Sequence, residues 1–272
     1  MPNEAGKTLL IGIGGSGMLP LALLLQEAGY RVAGVDPAIT QRRRDLLHSR
    51  GITVHDGTSV ELLNDVQEVI ASPAVPQHHP LLRAARRKGQ DIRWRPAALA
   101  RLLSKRPCIG IAGSHGKSTT TAMLIHILSQ ETPSSGYFIG AEMAGMAPAF
   151  WGDISSDFVF EACEAHGALS VWQPDHLVLT NLDDDHAAHY GGQFGLDSGF
   201  LALARRVPAQ GQLVACGDDA RVRALIAQLD RPTVTFGFGP DNLLRADERP
   251  NGAVELVWAR QNLGLLHLGQ PG

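Results

Sequence analysis

A chain of 272 residues with 44% apolar and 19% charged residues has the composition of a globular protein and is long enough for two cores. Its longest apolar stretch, "LPLALLLQEAG", breaks at Gln26 and Glu27, short of the roughly 18 to 20 residues of a membrane span, and "MPNEAGKTLLIG" carries no export signal. Three cysteines (Cys108, Cys163, Cys216) without C-x-x-C spacing argue against a disulfide framework and a zinc site and for a reducing, cytoplasmic compartment.

Net charge is uneven along the chain. Residues 1–106 hold 15 Lys/Arg against 9 Asp/Glu, and the remainder 9 against 18. A basic first part suits an anionic ligand and an acidic second part suits metal ions, although surface drift explains the same numbers. An isoelectric point near 6.4 argues against general nucleic-acid binding.

In chain order, "KTLLIGIG" reads as a strand and "SGMLPLALLLQEAG" as a helix ending at Gly29, where a left-handed cap costs least. "YRVAGVD" is the next strand. "TQRRRDLLHSRG" is a helix with Thr40 as N-cap and Gly51 at its end. "ITVHDG" and "VQEVIASPAV" are strands; "PLLRAARRKG" and "PAALARLLS" are helices opened by proline. This βαβ rhythm predicts a Rossmann-like, mostly parallel sheet with helices on both faces over residues 1–106. A second unit over 107–272 opens near "SKRPCIG". "FVFEAC" and "HLVLTN" are buried strands, and "FGLDSGFLALARRV" is a helix with an apolar stripe of Phe200, Leu201, Leu203 and Val207. "QLVACG", "DARVRALIAQLD" and "TVTFGFG" repeat strand, helix and strand. Asn251-Gly252 between alternating runs marks a terminal β-hairpin region. The fold class expected is α/β throughout; the strand, glycine loop and lysine of "IGIAGSHGKSTTT" mark the second unit as a P-loop-type ATPase domain.

Two glycine turns carry the chemistry. "IGIAGSHGKSTTT" departs from G-x-x-x-x-G-K-[ST] because Ile111 takes the leading position. The physics survives: Gly113 and Gly116 let backbone N–H groups turn inward on phosphate oxygens, the following helix points its positive end there, and Lys117 reaches the outer phosphates. The Ser118 hydroxyl is placed to ligate Mg²⁺. The bland reading is a Gly-rich turn with a surface lysine. At the front, Gly12-x-Gly14-x-x-Gly17 follows a strand and opens a helix, and Asp36 ends the next strand. Alone, this is a dinucleotide fingerprint and suggests an NAD-dependent dehydrogenase; a second phosphate cradle is foreign to such an enzyme.

The form of the lysine loop, G-x-x-G-[TS]-x-G-K-[TS]-T-T-T, resembles the ATP loop of the Mur ligase superfamily, and the likeness extends along the whole chain. "IGIGGSGM", "GVDPAITQRRRDLLHSRGITVHDG" and "ASPAVPQHHPLLRAARRKG" are similar to the opening domain of its alanine-adding branch. The resemblance implies an ATP-dependent ligase of peptidoglycan precursor synthesis, joining a free amino acid, L-alanine in that branch, to the carboxylate of UDP-N-acetylmuramate through an acyl phosphate. It implies that Gly113, Ser114, His115, Gly116, Lys117, Ser118 and Thr119 hold ATP. Gly14, Gly15, Ser16, Gly17, Met18, Asp36, Ser72 and Asn181 would hold the sugar nucleotide. Ser118, Glu161 and His186 would hold Mg²⁺, with Lys117, Glu161 and His186 serving catalysis; Tyr190 also matches. Without that partnership, His186 in "DDDHAAHY" reads as part of a solvated acidic turn.

The match departs from the family's pattern around one place. Cys163 and His166 stand where the family has Asp, Ala165 where it has Ser, and Ala188 where it has an acid. Ser114 and Ser118 replace threonines, which keeps the hydroxyls. The tail "LGLLHLGQPG" resembles the strand before the family's P-G-x-H-N motif, so a third, C-terminal domain is expected to be absent from these residues, or supplied in trans. These departures favour a rival reading, a paralogue that binds ATP or UDP-sugar without turnover. Another branch of the superfamily, such as a tripeptide-recycling ligase, is a further alternative.

Overall fold

The structure, a computed structural model, describes residues 6–140, 145–250 and 252–267. It divides into two compact units, one formed by Met1–Cys108 with Ser118–Glu161 and the other by Ile109–Lys117 with Ala162–Gly272.

The first unit begins with β1 (Lys7–Ile11), α1 (Met18–Glu27), β2 (Val32–Val35), α2 (Gln41–Ser49), β3 (Thr53–His55), β4 (Val66–Ala71), α3 (Pro80–Arg87), β5 (Asp91–Trp94) and α4 (Arg95–Leu103). The strands form a sheet in the order β3-β2-β1-β4-β5, and every pairing is parallel. Period-two alternation sends Leu9, Ile11, Val35, Val69 and Ala71 to the face covered by Leu81, Leu82, Ala84 and Ala85 of α3. Leu10 and Ile70, on the alternate positions, are also fully buried, as a sheet covered on both sides requires. Gly29 and Gly51 end α1 and α2 at φ +90° and +73°, as their positions predict. Thr40 takes the N-cap position of α2, but its side chain makes no capping bond. The strand β5 was not expected. Its Asp91 and Arg93 look like loop residues, yet Arg93 donates to Glu68 at 2.7 Å on the neighbouring strand.

The second unit takes β6 (Cys108–Ala112) from Ile109 onward, and the helix that follows, α5 (Lys117–Glu131), belongs to the first unit from Ser118. In the first unit follow β7 (Gly136–Phe138), β8 (Ala149–Phe150) and β9 (Phe158–Glu161); β7 pairs antiparallel with β8 and parallel with β9. Arg106 holds the 151–158 segment there. It is 4% exposed, donates to the carbonyls of Trp151, Asp153 and Ser156, and stacks on the Trp151 and Phe158 rings. The second unit continues with β10 (His176–Leu179), α6 (Gln193–Arg206), β11 (Leu213–Cys216), α7 (Ala220–Ile226), β12 (Val234–Gly237), β13 (Leu244–Glu248), β14 (Ala253–Trp258) and β15 (Gln261–His267). Its strands run in the order β15-β14-β13-β12-β11-β10-β6, parallel from β6 to β13 and antiparallel from β13 to β15. The buried stripe of α6 is Leu196, Phe200, Leu203 and Ala204. Leu201 falls off this 3.6-residue period and is only half-buried. The expected hairpin joins β13 to β14. Asn251 of its turn, and Pro271-Gly272 of the tail, lie outside the described residues.

Candidate functional site

In the first unit, Gly12, Asp36 and Ser72 follow β1, β2 and β4 at the carboxyl edge of the parallel sheet, on either side of the point where strand order reverses. Ligands gather at this edge in open α/β sheets. The turn is held by Asp36, whose Oδ2 accepts the Gly14 N–H at 2.9 Å and whose Oδ1 accepts the Ala38 N–H at 3.0 Å. A Cβ on Gly14 would stand 2.7 Å from Ile39 and 2.9 Å from that carboxylate, so only glycine fits. Ser72 abuts the turn, its Cβ 3.3 Å from where a Cβ on Gly12 would sit. Gly15 accepts from Met18 N–H through its carbonyl, and the Met18 side chain is buried in the core. Ser16 is exposed.

Arginines flank this turn, a feature the sequence reading missed. Arg43 donates to the Gly14 carbonyl at 2.8 Å, and a Cβ on Gly17 would lie 2.7 Å from Arg95 Nη1. Beside Ser16 opens a cavity of about 300 Å³ lined by Leu19 and Leu23 with Arg42, Arg43 and Arg50. Apolar walls with a cationic rim suit a ligand that joins a ring to an anion. The signal was present in "QRRRDLL", which reads equally well as a solvated helix face.

In the second unit, the lysine loop runs from the carboxyl end of β6, beside the carboxyl end of β10. A Cβ on Gly113 would come within 2.2 Å of Thr180 Oγ1 and 2.9 Å of the Asn181 carbonyl. Gly113 is therefore required by close approach, and Gly116, at φ +77°, by backbone conformation. Asn181 braces the loop. Its Oδ1 accepts the His115 N–H at 2.8 Å and its Nδ2 donates to the His115 carbonyl at 3.0 Å. The Ser114 hydroxyl accepts from Asp183 N–H at 2.7 Å, and Ser114 N–H donates to the Asn181 carbonyl at 3.0 Å.

The ammonium of Lys117 donates to the Gly113 carbonyl at 2.6 Å, the Ser114 carbonyl at 2.9 Å and Glu164 Oε1 at 3.1 Å. Glu164 is 1% exposed. Sequence reasoning did not single it out, although it falls on an acid of the family's E-A-D-E-S-D pattern. Ser118 is half-buried and Thr119 exposed in the first turn of α5.

Three acids precede His186. Asp183 accepts from the Asp184 N–H and lies 3.4 Å from the His115 ring; these contacts, the backbone bond first, hold its carboxyl below the usual carboxylate range. Asp184 accepts from Arg221 at 2.8 Å, and Arg221 also donates to Asp197 at 2.6 Å. Asp185 stands 3.7 Å from the His115 ring. His186 is exposed and left-handed at φ +65°, an uncommon conformation for a side chain with a Cβ. Its ring lies 6.1 Å from that of His189, which lies 4.9 Å from His166, so the substituted residue His166 joins a row of imidazoles.

Glu161 ends β9 in the first unit, where its Oε1 accepts the Gly140 N–H at 3.1 Å. Among the described residues no three His, Cys, Asp or Glu side chains stand together as a metal cluster. The expected set of Ser118, Glu161 and His186 supplies one carboxylate, one imidazole and one hydroxyl. That donor set fits Mg²⁺, which keeps waters and takes substrate phosphates as ligands rather than a complete protein cage.

Two glycine turns at the carboxyl edges of parallel strands, each crowded so that only glycine fits, define an α/β protein of the doubly wound type. Residues 9–107 match the Mur ligase family catalytic domain, and residues 111–259 match the Mur ligase middle domain. The chain belongs to the Mur ligase family. It is 35% identical over 279 residues to the UDP-N-acetylmuramate–L-alanine ligase of Oleidesulfovibrio alaskensis, covering 100% of this chain and 60% of that protein. For the protein of the same name from Nitratidesulfovibrio vulgaris (strain DP4) the identity is 37%, with 100% and 60% covered. The chain thus spans 60% of the length of these curated relatives. The fold of a UDP-N-acetylmuramate:L-alanyl-gamma-D-glutamyl-meso-diaminopimelate ligase from Neisseria meningitides superposes with a TM-score of 0.88 at 24% identity, over 98% of this chain and 89% of that one. A UDP-N-acetylmuramate-alanine ligase from Thermotoga maritima gives 0.83 at 25% identity, over 98% and 61%. Among the described residues, no helix is long and apolar enough to cross a membrane.

Proposed function

We propose that the chain is the nucleotide-handling part of a cytoplasmic, ATP-dependent ligase that joins L-alanine to the carboxylate of UDP-N-acetylmuramate in peptidoglycan precursor synthesis. The observation that carries this reading is the braced lysine loop, in which Gly113, Asn181 and Thr180 shape a turn around the Lys117 ammonium. Family membership and the names of its relatives support the substrate assignment, and leave the dehydrogenase reading without support.

In this reading, residues 1–106 form the sugar-nucleotide domain and 107–272 the ATP domain. The turn at Gly12 to Gly17, with Asp36, Ser72 and the flanking Arg43 and Arg95, anchors the UDP moiety. This remote binding energy sets the muramyl carboxylate against the γ-phosphate. The carboxylate attacks, ADP departs, and an acyl phosphate remains. An amino group attacks that carbonyl, and inorganic phosphate leaves with the electron pair of the broken C–O bond. Lys117 and the loop amides stabilise the charge gathering on the transferring phosphoryl group. Ser118, Glu161 and His186 would hold Mg²⁺, which screens the two anions from each other. The part of the relatives beyond this match would hold the amine and exclude water.

Phosphate release from ATP, Mg²⁺, UDP-N-acetylmuramate and L-alanine tests the proposal, with the chain alone and with the remaining part of a relative added. Turnover that requires all four components is expected. Binding of ATP and sugar nucleotide without turnover in either preparation would favour a second reading, a binding module. His166, where the family has an acid, with its ring tilted against that of His189, is the observation in favour of that alternative.

A further inference from the structure

Glu164 has no part in the reading above, yet it is the most deeply buried acid of the second unit. Its backbone is fixed from two sides. The Tyr190 hydroxyl donates to its carbonyl at 2.6 Å, and Trp172 Nε1 donates to the preceding Cys163 carbonyl at 3.0 Å. Trp172 is itself 1% exposed. The side chain therefore has little freedom to leave Lys117.

The carboxylate is only partly satisfied. Oε1 accepts from the Lys117 ammonium. Oε2 lies 3.0 Å from the same nitrogen but has no hydrogen-bond partner among the described residues, the ammonium's three donors being matched by Gly113, Ser114 and Oε1. A buried carboxylate oxygen without a donor is costly, so the pair depends on the ammonium staying close. All three Lys117 donors are thus committed to acceptors that a phosphate must displace or share.

We propose that Glu164 is a positioning residue that competes with the nucleotide's outer phosphates for Lys117. It holds the ammonium folded onto the loop carbonyls, sets nucleotide affinity lower than the loop alone would give, and recaptures the lysine when products leave. This inference rests on the reading that the loop binds ATP.

The test is calorimetric titration of MgATP and MgADP onto the wild-type chain, Glu164→Gln, Lys117→Met and the double variant. Glutamine keeps the shape and one acceptor but removes the charge. An opposite charge at this range is worth one or more pKa units, so Glu164→Gln, which frees the Lys117 ammonium for the phosphates, should tighten MgATP binding by about tenfold. In the Lys117→Met background the substitution should change affinity less than about twofold, the usual additivity limit for uncoupled sites. A residue that merely supported the fold would weaken binding when altered. Unchanged or weaker binding by Glu164→Gln, with the wild-type chain binding normally, would overturn the inference alone. Failure of the wild-type chain to bind either nucleotide would overturn the loop reading and this inference with it. If Glu164→Gln does not fold, recovery of the fold in Lys117→Met/Glu164→Gln would support the charge coupling, and failure of both would assign Glu164 a purely architectural role.

Discussion

The side-chain amide of Asn181 closes both sides of His115, accepting its N–H at 2.8 Å and donating to its carbonyl at 3.0 Å. This exchange ties the lysine loop to the end of β10. Asn181→Ala removes both bonds and leaves two backbone groups of His115 to find other partners, a loss of about 1 to 3 kcal/mol. Calorimetry with each ligand separately should show MgATP affinity falling roughly tenfold, the equivalent of 1.4 kcal/mol, with UDP-N-acetylmuramate affinity little changed. The opposite split would make Asn181 a substrate contact instead of a brace.

Gly113 is the tightest point of the loop. A methyl group there would press against Thr180 Oγ1 at 2.2 Å and the Asn181 carbonyl at 2.9 Å, at a φ of +135°. Gly113→Ala should cost about 2 to 4 kcal/mol through backbone strain and overpacking, read as a lowered urea midpoint at unchanged slope, and should abolish MgATP binding. Wild-type stability in this variant would mean that the loop is looser than the contacts imply.

Arg43 donates to the Gly14 carbonyl of the first glycine turn at 2.8 Å. Arg43→Gln should weaken UDP binding by roughly tenfold and flatten its salt dependence, with MgATP binding unaltered. Fluorescence-competition titrations at two ionic strengths give both quantities. Equal losses for both ligands would point to general unfolding.

Burial raises the Tyr190 hydroxyl from its ordinary 10.0 to about 12, outweighing the Leu169 N–H it accepts. The folded chain therefore keeps this proton to higher pH than the unfolded chain. The stabilisation is fully present below pH 10 and drains away between 10 and about 12, as the hydroxyl that donates to the Glu164 carbonyl is lost. Stability measured across this window should fall more steeply for the wild-type chain than for Tyr190→Phe. Identical slopes would contradict the assignment.

What the sequence shows and hides follows from where the constraint lies. Gly113, Gly116 and the Gly12 to Gly17 turn were legible because a missing Cβ is itself the message, and the structure gives the reasons: close approach at Gly14 and Gly113, left-handed backbone at Gly12 and Gly116. The helix ends at Gly29 and Gly51 were legible in the same way. Glu164 was not, since a carboxylate that answers a lysine 47 residues away leaves no local pattern. Arg43 was hidden among its basic neighbours. Strand β5 escaped because its alternating Asp91 and Arg93 mimic a solvated loop, whereas their contacts to Glu68 and to each other belong to a sheet edge. The left-handed His166 and His186 could not be anticipated, because their conformations are imposed by the surrounding chain against local preference.

In the proposed reading, the phosphates of ATP, held by the Lys117 loop, would share a divalent metal with Glu161 and His186. Pulsed electron paramagnetic resonance of Mn²⁺ with ATP bound to the chain reads this directly. The expected result is an imidazole nitrogen coupling that survives His189→Ala and vanishes in His186→Ala, together with weakened Mn²⁺ retention in Glu161→Gln. A coupling that persists without His186, or no nitrogen coupling when ATP and metal are both bound, would contradict it.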